Sequence, residues 1–75
     1  MTEIQKRVKE YVRNAGTTKE ALASDIGMSR TAFFAKLRGA NEFTIAEGYR
    51  LSQKMGITID DLYEIITADE QTSEA

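Results

Sequence analysis

Three basic side chains surround two adjacent phenylalanines in the segment DIGMSRTAFFAKLRG, residues 25–39 of a chain that is acidic overall. Arg30, near its start, carries a guanidinium whose parallel N–H donors match the O6 and N7 acceptors of guanine. Ser29 and Thr31, on either side, can contact a base or a phosphate. These residue types predict that the segment binds a partner through hydrogen bonds, with Arg30 as the leading contact.

The second half of the segment and the residues after it add further candidates. Phe34, or the methyl group of Ala35, can meet the methyl group of a thymine. Phe34 has a second open interpretation, as a residue packed in the core or against a second copy. Arg38 and Asn41, past the end of the predicted helix, can hold a phosphate and fix position without reading sequence. Lys36 has two open interpretations, as a solvated lysine or as a phosphate contact. The arginines, too, have an alternative interpretation as plain solvated charges.

The residues before the segment offer another site for a phosphate. Thr17, Thr18 and Lys19 stand at the predicted start of a short helix. Backbone amides and the helix dipole favour an anion at such a position. We therefore expect these three residues to position a partner rather than to read it.

The composition restricts the chemistry that the rest of the chain can perform. Its 75 residues fit one domain, and they include no cysteine and no histidine. Disulfides, thiolate nucleophiles and the usual zinc sites are therefore excluded. No apolar run approaches the roughly 18–20 residues that span a bilayer, and the amino end lacks the apolar stretch of a signal peptide. We expect a cytoplasmic protein without cofactor, metal or membrane segment, and not an enzyme.

Charge is distributed unevenly along the chain, although the net charge is only −2. Residues 1–38 hold eight of the ten lysines and arginines against four acidic residues, a net charge of +4. Residues 39–75 hold two basic and eight acidic residues, a net charge of −6. Such an asymmetry indicates one basic face, suited to nucleic acid, and one acidic face. The alternative is that charged residues merely solvate the helix surfaces.

The spacing of apolar residues predicts an all-α fold. The chain has no proline, and its apolar residues recur every three or four positions, which is the periodicity of an amphipathic helix. Five helices are expected, at about 3–15, 18–26, 29–38, 45–55 and 59–66. They form a compact five-helix domain over residues 1–67, followed by an acidic, frayed tail at 68–75.

The same periodicity predicts which residues are buried. In the third helix, Phe33 and Leu37 lie one turn apart and anchor the buried side. In the fourth helix, Ile45, Leu51 and Met55 form the core side. The outer side of the third helix, opposite its anchors, is then free to meet a partner.

Capping patterns predict where the helices begin. Thr17 and Glu20 have the spacing of a capping box at the start of the second helix, and Thr44 and Glu47 repeat it at the start of the fourth. Ser29 is expected to cap the third helix. These assignments make the second and third helices a closely spaced pair.

Four of the five glycines fall at predicted helix ends, where a left-handed backbone is useful. They are Gly16, Gly27, Gly39 and Gly56. Gly48 instead lies inside the fourth helix, where glycine costs about 1 kcal/mol relative to alanine. We expect close packing to explain it, with a phenylalanine ring of the third helix filling the space beside Gly48.

The order of these helices resembles a known family. Two short helices joined by a turn that contains glycine form a helix-turn-helix arrangement. The stretch TKEALASDIGMSRTAFFAKLRG, followed by EFTIAEGYRLSQKMGITIDDL, resembles the lambda-repressor and Cro type of helix-turn-helix domain, particularly small regulators of bacteriophages. The resemblance covers about residues 4–66, with Ala23 as the small residue of the first motif helix and Gly27 as the turn glycine. It departs at Lys36 and Leu37, where the family usually has an apolar residue followed by a polar one.

The resemblance implies a sequence-specific transcriptional regulator, a repressor or Cro-like protein, that binds double-stranded DNA. Its third helix is expected to enter the major groove, which admits an α-helix. A homodimer is expected on a two-fold operator whose half-sites lie about 34–36 Å apart. The fifth helix offers apolar side chains for the dimer contact: Leu62, Tyr63, Ile65 and Ile66.

Two other classes of function are open from the sequence. The acidic carboxyl half, with a net charge of −6, could engage a repressor or a polymerase subunit, which would make the protein an antirepressor or modulator. An enzyme would need Asp60, Asp61 and Glu64 as a metal cluster. These acids lie near the start of a helix, where the dipole favours negative charge, so a structural role accounts for them.

Overall fold

The computed structural model describes the backbone of residues 2–74 and the side chains of residues 2–69. Over that part of the chain there are five α-helices and no strand, which confirms the predicted all-α, five-helix fold. The helices are α1 (Glu3–Ala15), α2 (Lys19–Asp25), α3 (Arg30–Leu37), α4 (Ile45–Met55) and α5 (Ile59–Glu74). None of these helices is long and apolar enough to cross a membrane.

One apolar core lies between the five helices. Each helix contributes a side chain that is at most 1% exposed: Val8, Leu22, Phe33, Leu51 and Leu62. Burial of such side chains contributes about 1.5–3 kcal/mol each relative to an exposed position. The core therefore joins all five helices, including the two that flank the turn at residues 26–29.

The third helix is anchored along one side, as predicted. Phe33 is completely buried, and Leu37, one turn later, is nearly so. Phe43, from the loop before α4, packs edge-on against Phe33 with ring centroids 6.3 Å apart. Such an aromatic pair adds about 0.5–1.5 kcal/mol beyond the area that it buries. One side of α3 is thus closed by the core.

The predicted core side of α4 is wrong at its first residue. Leu51 is buried and Met55 is half-buried, but Ile45 is 77% exposed. At 3.6 residues per turn, Ile45 lies roughly 120° around the helix axis from Leu51. The two side chains therefore cannot share the core side of α4.

The predicted cap of α2 is wrong by one residue. Thr18 caps this helix, because its hydroxyl oxygen accepts from the Ala21 amide at 3.0 Å. The Thr17 amide is already used, since it donates to the Val12 carbonyl at 3.0 Å where α1 ends. The capping box predicted for Thr17 and Glu20 therefore does not form, and the Glu20 carboxylate lies near α3 instead.

The other predicted caps are confirmed. The Ser29 hydroxyl oxygen accepts from the Ala32 amide at 3.2 Å where α3 begins. Thr44 and Glu47 form the capping box of α4, in which each side chain accepts from the backbone amide of the other residue. These caps place the first residue of α3, Arg30, directly after the turn.

The glycines predicted at helix ends all have a left-handed backbone, with φ between 69° and 86°. The requirement is clearest in the turn between α2 and α3, where Gly27 has a φ of 78°. This conformation lets the Met28 amide fold back and donate to the Ala23 carbonyl at 2.9 Å. A residue with a Cβ would be strained here, so Gly27 sets the sharpness of the turn.

The prediction that a phenylalanine of the third helix fills the space beside Gly48 is wrong. Gly48 is buried, but its neighbour is Tyr63 of α5, whose hydroxyl oxygen would lie 2.7 Å from a Cβ at position 48. The same hydroxyl lies 3.4 Å from the Thr44 carbonyl oxygen and donates to it. Because α5 packs along α4, it is α5 rather than α3 that covers this side of the fourth helix.

The fifth helix is longer than predicted, because it continues past residue 66 through the expected tail to Glu74. On this extension, the Asp69 carboxylate accepts from the Glu3 amide at 2.7 Å and from the Ile4 amide at 3.1 Å. A carboxylate at a helix N-terminus satisfies unpaired amides and complements the helix dipole. The boundary predicted at 66 is therefore too early. Ala75 lies outside the described residues.

Candidate nucleic-acid interface

The outer side of α3 and its flanks carry half of the predicted contacts. We call Arg30, Thr31, Phe34, Ala35 and Arg38 the outer face of α3. The helical period predicts Thr31, Ala35 and Arg38 on the outward side and Arg30 and Phe34 on its flanks. Thr31 and Arg38 are exposed, as is Arg30, whereas Phe34 and Ala35 are half-buried. The outer face is therefore polar and basic at both ends and apolar in the middle.

At the amino end of the outer face, two cations lie against one aromatic ring. The Arg30 guanidinium carbon is 5.3 Å, and the Lys19 Nζ 6.0 Å, from the centroid of the Phe34 ring. Cation–π attraction at such distances contributes about 0.5–1 kcal/mol at exposed sites. The Arg30 Nε also lies 4.0 Å from Oε2 of Glu20, a weak and exposed ion pair. These contacts orient Arg30 while 68% of its side chain stays exposed.

Phe34 contacts both the core and the cations of the outer face. Its ring is half-buried and packs against Phe33, with ring centroids 6.3 Å apart. The same ring supports Lys19 and Arg30. Phe34 is therefore an apolar support for two cations, and core packing does not exclude a contact with a partner.

The small polar candidates of α3 are accessible. Ser29 is exposed, and its oxygen is used as the cap of α3, which leaves the hydroxyl hydrogen free to donate. Thr31 is exposed two positions later. Both hydroxyls lie next to Arg30 in the chain.

The candidates for phosphate contact are separated along α3. At the amino end, Thr18 is exposed and Thr17 and Lys19 are half-buried. Past the carboxyl end, Arg38 and Asn41 are exposed and line one groove beside α5. The eight residues of α3 rise about 12 Å, which is about the width of the major groove of B-DNA. The two sets therefore lie at opposite ends of α3.

Lys36 differs from the other cations of this region because it is almost fully enclosed. Its ammonium donates to Oε1 of Glu47, and 14% of the Lys36 side chain and 21% of the Glu47 side chain are exposed. The hydrogen bonds from Lys36 and from the Thr44 amide hold the pKa of Glu47 below its ordinary value of 4.5. The interpretation of Lys36 as a solvated lysine is therefore wrong. A phosphate contact by Lys36 would require this ion pair to break.

Sequence reasoning finds Glu20 and Glu47 only as members of capping boxes and misses their ion pairs with α3. Glu20 pairs with Arg30 and Glu47 with Lys36, across ten and eleven positions of the chain. Ion pairs that join different helices leave no periodic signal in a sequence. The one available signal for the second pair is the departure at Lys36 from the family pattern, which puts a lysine where an apolar residue is usual.

The predicted dimer residues of α5 differ in what they can offer a second copy. Leu62 is completely buried in the core and has no surface for a contact. Tyr63, Ile65 and Ile66 are half-buried. Ile65 and Ile66 pack against the core, and Tyr63 lies beside Gly48 of α4. A dimer contact through α5 stays a prediction, and only these last three residues can take part in it.

Comparison with protein-family models, with curated proteins and with solved structures found no match. The resemblance to lambda-repressor and Cro domains therefore stays a prediction from the sequence. Within the described residues, no group of three or more His, Cys, Asp or Glu side chains could hold a metal ion. Function is thus inferred from the geometry of α3 and its neighbours.

Proposed function

We propose that the protein is a sequence-specific regulator of transcription that binds double-stranded DNA with α3 in the major groove. The observation that carries this proposal is the asymmetric environment of α3. Phe33 and Leu37 close one side of the helix, Thr31 and Arg38 are exposed on the opposite side, and Arg30 is exposed on the flank between them. A helix supported on one side can insert its free side into a groove about 12 Å wide.

Base reading is assigned to the amino half of the outer face. Arg30 is the contact to guanine O6 and N7, and Ser29 or Thr31 contacts a neighbouring base or phosphate. The apolar surface of Phe34 and Ala35 is placed to meet a thymine methyl group. One good bidentate contact discriminates against a wrong base by about 1–3 kcal/mol, so Arg30 is expected to dominate specificity.

Phosphate contacts are assigned to residues at the two ends of α3. Lys19, with Thr17 and Thr18, serves the amino end, and Arg38 with Asn41 serves the carboxyl end. Such contacts fix the register of a protein on the duplex without reading sequence. The carboxyl half of the chain is acidic, with a net charge of −6, and the amino half is basic, with a net charge of +4. This asymmetry supports one DNA-binding side on an acidic protein.

A homodimer is the proposed binding form, because one short helix makes few contacts with DNA. Two copies related by a two-fold axis would place two α3 helices in successive major grooves, about 34–36 Å apart. The half-buried apolar residues of α5, Tyr63, Ile65 and Ile66, are the proposed contact. Sedimentation across protein concentrations, with and without operator DNA, tests this form. A monomer at tens of micromolar that stays monomeric on DNA would contradict it.

The DNA-binding proposal is tested by the salt dependence of affinity for duplex DNA. Neutralising phosphates releases counterions, so a dimer with about six phosphate contacts should lose about a thousandfold in affinity between roughly 50 and 200 mM salt. Fluorescence anisotropy of a labelled duplex measures this directly. An affinity that does not change with salt would contradict the proposal.

Substitution of Arg30 separates base reading from mere positive charge. Arg30→Ala should weaken binding to a selected operator by roughly 5- to 150-fold for each half-site, because each copy in the dimer loses one bidentate base contact. Arg13→Ala is the matched control, because Arg13 is an equally charged and exposed residue on α1. If both variants weaken operator and random duplex alike, Arg30 contributes only charge, and the assignment of base reading is wrong.

A protein-binding modulator or antirepressor is the second candidate, and one observation favours it. Ile45 is 77% and Tyr49 54% exposed, and these large apolar residues lie one turn apart on α4, in the acidic half of the chain. A patch of this kind can bind a protein, although scattered exposed apolar residues are also common on soluble domains. A parent protein that fails to bind any duplex at low salt would favour this second candidate.

A further inference from the structure

Lys36 and Glu47 link the last turn of α3 to the first turn of α4. The Lys36 ammonium donates to Oε1 of Glu47, and both side chains are largely enclosed. The same oxygen accepts from the Thr44 amide at 2.9 Å, as part of the capping box of α4. The Glu47 carboxylate, which accepts from Lys36, is therefore held in place by the backbone at the start of its own helix, α4. A lysine bound to a fixed acceptor is itself fixed.

This link is directional, unlike a contact between apolar side chains. Apolar burial has no preferred direction. A charge-assisted hydrogen bond depends on distance and angle, so it favours one orientation of α3 relative to α4. A second hydrogen bond holds the carboxyl end of α3, because the Thr2 hydroxyl donates to the Leu37 carbonyl oxygen at 3.2 Å.

We infer that Lys36 is a positioning residue: through its hydrogen bond to Glu47 it sets the tilt and rotation of α3, and so the placement of Arg30 on DNA. The inference rests on the proposed DNA-binding function for its second half only. Six residues separate Lys36 from Arg30, a rise of about 9 Å along the helix. A tilt of roughly 10° at the carboxyl end therefore moves Arg30 by about 1.6 Å, which is enough to break a bidentate base contact.

The ion pair also removes Lys36 from the set of phosphate contacts. Arg30 and Arg38 are exposed, whereas the Lys36 ammonium is directed toward α4 and is neutralised there. Approach to a phosphate would leave the Glu47 carboxylate half-enclosed without its cation. Lys36 therefore contributes to sequence discrimination and not to the electrostatic attraction for DNA.

Two substitutions remove the pair with little other change. Glu47→Gln keeps an oxygen that accepts from the Thr44 amide and from the Lys36 ammonium, so the capping box is retained while the hydrogen bond from Lys36 loses its negatively charged acceptor. Lys36→Met keeps the length of the side chain and removes its ammonium. Lys36→Arg restores a charged donor and serves as the conservative variant. Each is compared with the double variant Lys36→Met/Glu47→Gln.

The structural half of the inference is tested by amide hydrogen exchange without DNA. In Glu47→Gln and in Lys36→Met, amides of α3 should exchange faster relative to amides of α1 than in the parent, by about tenfold in Lys36→Met, since the charge-assisted hydrogen bond is weakened in the first variant and removed in the second. Lys36→Arg should restore the parent ratio, and the double variant should add little to either single change. If α1 and α3 lose protection equally, the pair only contributes to global stability, and the inference is wrong.

The functional half is tested by the affinities for a selected operator and for a scrambled duplex. Lys36→Met should lower operator affinity about tenfold and leave both the scrambled-duplex affinity and the salt slope unchanged. Lys19→Met, in contrast, should reduce the magnitude of the salt slope by about one per lost phosphate contact. A reduced slope in Lys36→Met would show a phosphate contact and overturn the inference.

The two halves also separate this inference from the proposed function. If the parent binds no DNA, the proposed function fails, while the exchange experiment still decides whether Lys36 orients α3. If the parent binds its operator and Lys36→Met retains the full preference for operator over scrambled duplex, the proposed function stands and the positioning role is wrong.

Discussion

The two ends of α3 carry the same charge and are held in opposite ways. At the amino end, Arg30 is exposed and touches its neighbours weakly, through the Phe34 ring at 5.3 Å and the Glu20 carboxylate at 4.0 Å. At the carboxyl end, Lys36 is enclosed and hydrogen-bonded to Glu47. One cation can change its partner at low cost, and the other cannot.

The difference teaches that charge alone does not identify a contact residue. Arg30 and Lys36 look alike in composition and lie on one short helix. A group that binds a partner must give up only weak contacts, because strong internal contacts would be lost on binding. A group that positions the helix needs a strong and directional contact. In our account the carboxyl end of α3 is therefore held in position, and the amino end contacts the DNA bases.

The largest effect is expected where α3 meets the core. Phe33→Ala should lower the free energy of unfolding by about 3–5 kcal/mol, because a completely buried aromatic side chain is replaced by a cavity. Phe34→Ala should cost clearly less, since the Phe34 ring is only half-buried. Urea denaturation followed by circular dichroism measures both. Equal losses would mean that the amino end of α3 has no free outer side.

The next effect separates the two cations directly. Lys36→Met should lower the free energy of unfolding by about 1–3 kcal/mol, the loss typical of a hydrogen bond to a charged group. Arg30→Met should change the same quantity by no more than about 0.5 kcal/mol, as expected for an exposed residue. The two variants are matched in the residue introduced. A cost for Arg30→Met as large as that for Lys36→Met would remove the contrast between the two ends.

A smaller effect is expected where α5 contacts the start of α1, next to the carboxyl end of α3. Asp69 caps the start of α1, where the Thr2 hydroxyl reaches the Leu37 carbonyl. Asp69→Ala should lower the free energy of unfolding by about 0.5–2 kcal/mol, the usual cost of losing a helix cap. Glu64→Ala is the control, because Glu64 is an exposed acid on the same helix. If the two variants are equally stable, the contact of Asp69 with α1 contributes nothing.

The smallest effect is a dependence on pH. The folded state lowers the pKa of Glu47, because Lys36 and the Thr44 amide donate to its carboxylate. The contribution of Glu47 to stability is therefore complete above its ordinary pKa of 4.5 and is lost as the pH falls through the lower pKa of the folded state. The difference in unfolding free energy between the parent and Glu47→Gln should shrink in acid. A difference that stays constant across that range would contradict a charged pair.

The fold could be read from the sequence because its signals are local. Periodicity finds the five helices, and the spacing of Thr44 and Glu47 identifies a capping box that the structure confirms. Even these signals fail where one backbone amide could serve either of two neighbouring helices. Thr17 has the right spacing for a cap, but its amide ends α1, so the cap shifts to Thr18.

The arrangement of the site could be predicted only in part. The helical period places Thr31 and Arg38 outward and Phe33 inward, as the structure does. The partners that give Arg30 and Lys36 their different roles come from other helices, and their positions depend on tertiary packing. The same is true of Gly48, whose neighbour comes from α5 and not from α3. Contacts between elements leave no pattern in a single sequence, so the structure is needed to find them.

Selection of bound duplexes from a random pool, carried out with the parent and with Arg30→Met, tests the central claim most directly. We predict that the parent selects a two-fold motif with a guanine in each half-site, and that Arg30→Met loses the preference at that guanine while it keeps the rest of the motif. A parent that selects no motif, or a variant that selects the same guanine as strongly, would contradict the account of α3 as a helix that reads DNA from its amino end.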